Sequence, residues 1–141
     1  MFQLGPKAII LDIGSSNGVA LATMIASLVD NDQAAQSISG VGIEYKQDRY
    51  KLSMQNLQEL SKNNMDVNLF FGHGNITDFG DNLNGFTHIY MFDCVFDPKD
   101  IKKIGIMINN SETIVQIISS KSLKELRGHG WKIQLITKIG N

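Results

Sequence analysis

The stretch Ile9-Ile10-Leu11-Asp12-Ile13-Gly14-Ser15-Ser16-Asn17-Gly18 constrains this chain more than any other. Ala8–Ile13 is apolar at both sets of alternating positions, with a single acid near its end. That pattern fits a strand covered on both faces. The Gly, Ser and Asn residues that follow break the strand into a tight turn. Val19–Val29 is then apolar almost all round and rich in small residues, as in a helix packed closely on a sheet. Buried strand, small-residue turn and helix form the first unit of a doubly wound α/β sheet.

The rest of the chain repeats the alternation. After a polar loop over Asp30–Ser39, Gly40–Glu44 reads as a second strand that again ends in an acid. Lys46–Asn63 reads as a helix with Tyr50, Met54, Leu57 and Ser61 along one stripe. Val67–Phe71 is expected as a third strand, followed by the turn Gly72-His73-Gly74. Phe86–Phe92 is the fourth strand, and Pro98 suits the first position of a helix that runs to Asn109. Thr113–Ser119 is the fifth strand, and Lys121–Arg127 a short helix closed by Gly128. Trp131–Ile139 alternates in the manner of an edge or antiparallel strand. The expectation is a Rossmann-like, mostly parallel sheet of about six strands flanked by helices, in one domain over residues 1–141.

Composition narrows the setting. With 43% apolar and 19% charged residues the chain can bury a real core. No apolar run approaches the ~18 residues that cross a membrane. Met1–Lys7 lacks the order of a signal peptide. A lone cysteine, Cys94, excludes an internal disulfide and a cysteine zinc cluster. His73, His88 and His129 have no metal-ligand spacing, so no metal site is expected. The expected compartment is reducing and intracellular, nuclear or cytoplasmic. Charge is divided: residues 1–98 hold 5 Lys/Arg and 11 Asp/Glu, residues 99–141 hold 8 and 3. The basic C-terminal third suits either solvated helix faces or an acidic partner such as nucleic acid or a nucleosome.

Four short motifs follow one another in the order of the strands. In Asp12-x-Gly14-x-x-x-Gly18, Gly14 permits a turn where a side chain would strike a ligand, and Gly18 lets helix and strand approach. Asp12, Gly14, Ser15, Ser16 and Gly18 are therefore expected to border the ligand. The spacing supplies neither G-x-G-x-x-G nor the Gly-Lys-Ser/Thr of a P-loop. An acid at the strand end suits a cationic amino acid moiety better than a pyrophosphate. Glu44, 26 residues beyond Gly18, can accept both hydroxyls of a ribose. Gly74-Asn75-Ile76 offers a polar group and an apolar contact to an adenine, with Asp78 as a competing acid. In Asp93-Cys94-Val95-Phe96-Asp97-Pro98, Asp93 can hold an ammonium and Phe96 can meet a cation through its ring face. The expected ligand is S-adenosylmethionine.

In order and register these stations resemble the class I S-adenosylmethionine-dependent methyltransferase family. The second half is similar to the Dot-one ("disruptor of telomeric silencing") histone lysine methyltransferases. Phe92-Asp93-Cys94-Val95-Phe96-Asp97-Pro98 and Ile118-Ser119-Ser120-Lys121 look like that family's N-N-F-A-F-x-P and V-S-S-K stretches. Asp12–Gly18 is similar to its D-L-G-S-G-x-G, with Ser16 in place of the second glycine. Val41–Glu44 matches its G-V-E loosely, and Gly74-Asn75-Ile76 falls at its G-D-F. The resemblance implies that Asp12, Gly14, Glu44, Asn75, Ile76 and Asp93 contact the cofactor. It also implies that Phe96 lines a lysine channel, with Asp93 and Phe96 as the catalytic pair. The chain starts just before its first strand, so the N-terminal helical region and lid loop of that family are expected to be missing from it.

The resulting expectation is transfer of a methyl group to a protein lysine, with a histone or nucleosome as partner. Two other readings stay open on the residues alone: methylation of RNA, DNA or a small molecule, and a methyltransferase-like subunit without catalysis.

Overall fold

The computed structural model describes residues 8–31, 38–62, 68–92, 96–132 and 136–138. Its centre is β1 (Ile9–Ile13), where Ile10, Leu11, Asp12 and Ile13 are all buried, as the unbroken apolar run requires. Around it stand β2 (Ser39–Glu44), β3 (Asn68–His73), β4 (His88–Met91), β5 (Gln116–Ser119) and β6 (Ile136–Lys138). The order is β3-β2-β1-β4-β5-β6, and every pairing is parallel. This is the Rossmann strand order, with the topological switch between β1 and β4. The six-stranded α/β sheet matches the sequence expectation.

Helices cover the sheet on both faces. The helices are α1 (Val19–Asn31), α2 (Gln47–Lys62), α3 (Pro98–Asn109) and α4 (Leu123–Gly128). Ile10, Leu21, Ile25, Ile38 and Leu69 form one core cluster, to which Leu57 and Leu60 of α2 add. Leu11, Ile13, Ile89, Met91 and Ile117 form the other, with Ile101, Ile104 and Met107 of α3 and Leu126 of α4. The alternation of Ile10 and Leu11 between the two clusters follows from the period of two in a strand. Caps define the helices. Asp97 accepts a hydrogen bond from the Lys99 N–H before Pro98, and Ser122 with Glu125 forms a capping box. Among the described residues, no helix is long and apolar enough to cross a membrane.

Several boundaries differ from the sequence expectation. β3 runs on through Gly72 and His73, because both pair with the end of β2. β4 starts at His88 and β5 at Gln116, as the residues before them serve the connection between β3 and β4. That connection holds only a 3₁₀ turn, Ile76–Asp78, and no α-helix. It is pinned to the end of α3 instead. The Leu83 N–H donates to Ser111 Oγ (2.7 Å), and Asn110 Nδ2 donates to the Asp81 carbonyl (3.1 Å). Without a covering helix, Phe70 of the edge strand β3 stays 63% exposed and Phe79 54%.

The last strand is the clearest correction. β6 (Ile136–Lys138) is an edge strand, but it is parallel to β5; residues 133–135 and 139 of the expected strand lie outside the described residues. Trp131 is not on it. The indole is buried against α3, where a side chain at Gly105 would strike it, and its Nε1–H donates to the Ile101 carbonyl (2.9 Å). An amphipathic ring with an apolar body and one donor is well suited to lock a helix this way. Trp131→Phe, which removes the donor, is expected to cost about 1–2 kcal/mol, and Trp131→Ala about 3–5 kcal/mol. Urea unfolding of wild type and the two variants checks this; variants as stable as wild type would show that the hydrogen bond and the ring volume contribute nothing.

Candidate functional site

The loop after β1 is built from alternating left-handed residues. Gly14, Ser16 and Gly18 have φ of +76°, +55° and +81°. The Gly14 and Ser15 N–H groups both donate to the Ile43 carbonyl (2.8 and 3.2 Å), which ties the loop to β2. A side chain at Gly14 would lie 2.9 Å from Phe96, and one at Gly18 would lie 2.6 Å from Phe71. Both glycines are thus required by conformation and by space. Ser16 has no such freedom, and a left-handed residue with a Cβ costs roughly 1–2 kcal/mol.

Glu44 holds that loop in place. The side chain ends β2 and is only 2% exposed. Its Oε1 accepts the Ser16 N–H at 3.1 Å, and its Oε2 accepts the Lys46 N–H at 3.0 Å. One buried carboxylate therefore joins the β1–α1 loop to the β2–α2 turn. Each oxygen has a second lone pair that these bonds leave unused.

A cleft of about 450 Å³ opens where β1, β2 and β4 end. Ile13, Gly14 and Ile43 line it at the strand ends, and Glu44, Tyr45, Lys46 and Arg49 from the second turn and α2. Gly74, Asn75 and Ile76 line it after β3; Phe92, Phe96, Asp97, Asp100 and Ile104 come from beyond β4 and from α3. Of the residues singled out from sequence, Gly14, Glu44, Asn75, Ile76 and Phe96 meet in this one cleft. Asp12, Ser15, Ser16 and Gly18 do not line it. Ser16 reaches it only through its bond to Glu44, and Gly18 packs against Phe71. Ser15 is buried, and its Oγ has no hydrogen-bond partner. Asp93 and Cys94 lie outside the described residues.

Asn75 is already employed. Its Oδ1 accepts the Thr77 N–H (3.1 Å) and the Thr77 hydroxyl (2.9 Å), which caps the 3₁₀ turn. Only its amide nitrogen is left to address a ligand. His73 is exposed and sits at the end of β3, where its Nε2 lies 3.0 Å from the Tyr45 carbonyl. His88 is buried, with Nδ1 2.7 Å from the Thr87 hydroxyl, and belongs to the opposite end of the sheet. Sequence reasoning missed Tyr45, Lys46, Arg49, Phe92, Asp97 and Asp100. Two signals were legible: Tyr45 directly follows the strand-end acid, and Asp100 and Ile104 stand one helical turn apart.

No protein-family model matches the chain, and no curated protein matches it. Solved structures do. PKMT2 from Rickettsia typhi, solved with S-adenosylhomocysteine, is 18% identical with a TM-score of 0.55, over 76% of this chain and 20% of that one. Geranyl diphosphate C-methyltransferase from Streptomyces coelicolor, also solved with S-adenosylhomocysteine, is 14% identical with a TM-score of 0.55, over 75% and 37%. An S-adenosylmethionine-dependent methyltransferase from Methanosarcina mazei is 18% identical with a TM-score of 0.55, over 74% and 49%. The chain therefore spans less than half the length of each of these proteins. At such identities the likeness is one of fold: the chain shares the Rossmann-like fold of these methyltransferases. Nothing in the likeness singles out the Dot-one histone enzymes.

Asp12 lies on the α1 side of β1, in register with Tyr90 of β4. Burial, and then the charge of Glu44, raise its carboxyl from 3.8 to about 7. Burial and the charge of Asp12 push the Tyr90 hydroxyl up in turn. Between those two values the folded protein keeps a proton that the unfolded chain has released. Stability from this group is therefore highest below pH 4 and falls as pH rises to 7. Asp12→Asn is expected to leave stability near pH 4 unchanged and to raise it at pH 8 by about 1 kcal/mol or more. Denaturant unfolding at the two pH values measures this; an Asn variant less stable at pH 8 would count against it.

Proposed function

We propose that this chain is the S-adenosylmethionine-binding part of a methyltransferase, with the cofactor in the cleft at the ends of β1, β2 and β4. The observation that carries the reading is Glu44. It is a buried acid at the end of the second strand, fixed by two backbone N–H groups, that lines the cleft and has acceptor capacity those two bonds leave unused.

The residues present fit the group. A cleft of about 450 Å³ is of the size that takes a nucleoside-bearing ligand. Glu44 would accept the ribose hydroxyls. The exposed ring of Tyr45 and the apolar side chain of Ile76 offer surfaces for a purine, and the Asn75 amide offers an N–H to a ring nitrogen. Gly14 keeps its backbone open to close approach. Bound there, S-adenosylmethionine supplies a methyl group on a sulfonium sulfur, an electrophile that needs no further activation. The chain's own part is to orient, to exclude water and to present an acceptor.

The acceptor proposed is a protein lysine of the histone type, with Phe96 lining its channel. Phe92 and Phe96 border the cleft together with Asp97 and Asp100. Aromatic faces and carboxylates attract a cationic amine. The carboxylates favour the amine as a cation, and burial of the amine beside the half-buried Phe96 would work the other way, toward the neutral, nucleophilic form. Lys99, Lys102, Lys103, Lys124 and Arg127 are exposed on α3 and α4, which supports docking on an acidic particle such as a nucleosome.

The melting temperature is expected to rise with excess S-adenosylmethionine. Glu44→Ala, which frees the Ser16 and Lys46 N–H groups, is expected to weaken cofactor binding about tenfold or more. Labelled methyl transfer is expected to histones or nucleosomes rather than to RNA. No thermal shift at millimolar cofactor would sink the cofactor reading. Transfer confined to RNA, with a steep salt dependence, would sink the lysine acceptor.

A further inference from the structure

One side chain outside the cleft wall holds the part of the wall that matters most. Glu44 ends β2, and Tyr45 begins the short turn between β2 and α2. Tyr45 is 58% exposed, and no core packing fixes its ring. Its backbone is fixed from the neighbouring strand. His73, the residue of β3 in register with Glu44, brings Nε2 to 3.0 Å from the Tyr45 carbonyl. A carbonyl can only accept, so Nε2 carries the hydrogen whether the ring is neutral or charged. The other side of the imidazole stacks on Tyr50 of α2, with centroids 5.5 Å apart and an interplanar angle of 23°. Tyr50 in turn donates its N–H to the Lys46 carbonyl (3.0 Å). The turn is thus held by the Glu44 carboxylate at the Lys46 N–H, by His73 at the Tyr45 carbonyl, and by α2 at the Lys46 carbonyl.

We infer that His73 is a positioning residue, which fixes the Glu44–Lys46 turn so that Glu44 and Tyr45 meet the nucleoside of the cofactor; the inference rests on the cofactor reading above. The hydrogen bond sets the position of the turn. The stack on Tyr50 sets the orientation of the imidazole.

The test titrates S-adenosylhomocysteine into wild-type, His73→Ala, His73→Gln and His73→Phe protein by calorimetry. Amide exchange at Lys46 is followed in the ligand-free proteins. His73→Ala is expected to weaken binding about tenfold and to speed exchange at Lys46 about fivefold or more. Gln places an amide N–H where Nε2 was, and is expected to restore affinity to within about threefold of wild type. Phe keeps the stack without the donor and is expected to behave as Ala. Affinity unchanged in His73→Ala overturns the inference, as does rescue by Phe and not by Gln. A wild-type protein that binds no S-adenosylhomocysteine overturns the cofactor reading, and this inference with it. Should the Ala variant not fold, the ¹⁵N signature of His73 in wild type decides: a neutral ring protonated on Nδ1 overturns the clamp.

Discussion

A single carboxylate joins the two loops on which the cleft depends. The ends of parallel strands are places where the backbone loses its partners, and each loop leaving them must find new ones. Glu44 supplies acceptors to both sides at once, to the Ser16 N–H and to the Lys46 N–H. A charged acceptor in a nearly dry position makes stronger bonds than a neutral one. The arrangement also has a cost, which falls on Asp12. Two buried acids stand at the ends of neighbouring strands: Glu44 accepts two backbone N–H groups, while burial and then the charge of Glu44 raise the carboxyl of Asp12 to about 7. The site thus leaves Asp12 on the edge of neutrality.

The sheet explains why these residues meet. Strand order reverses between β1 and β4, so the chain leaves β1 towards one side and β4 towards the other. A crevice must open between the two departures. Its walls are then whatever follows β1, β2, β3 and β4, and so residues 14, 44, 75 and 96 share one cleft although long stretches of chain separate them. The connection from β3 to β4 departs from the usual build. It crosses the sheet without a helix, held by side chains of Asn110, Ser111 and Thr113. The uncovered face beneath Phe70 and Phe79 is the direct result.

Much of this was legible in the residues. Period and punctuation placed the central strands, because burial on both faces leaves β1 apolar at every position but Asp12. Gly14 and the strand-end acid Glu44 placed the cleft. What could not be read were features set by contacts across the fold. Trp131 looked like part of an alternating strand, yet its partners are Gly105 and the Ile101 carbonyl, far away in sequence. Asn75 looked free to meet a base, yet its oxygen serves Thr77 two residues on. Asp12 stood out as the first acid of the motif, but the pleat turns it to the α1 side while Ile13 and Gly14 face the cleft. A period of two decides that, and it follows only once the sheet's two faces are known.

Ser16 is where these arguments meet. A serine in place of glycine at a left-handed position reads, from sequence alone, as a weakened loop. The structure gives it a different meaning. The residue keeps the left-handed backbone that a glycine would adopt, at φ +55°. Its own N–H, aimed at Glu44 by that conformation, provides the bond that offsets the strain. Strain of roughly 1–2 kcal/mol and a charge-assisted hydrogen bond of similar size leave the loop near balance. The substitution therefore does not remove the feature that defines the site; it makes the geometry of the first loop depend on the acid of the second. A ligand that engages Glu44 would act on both loops together, and the two cannot be treated as separate binding elements.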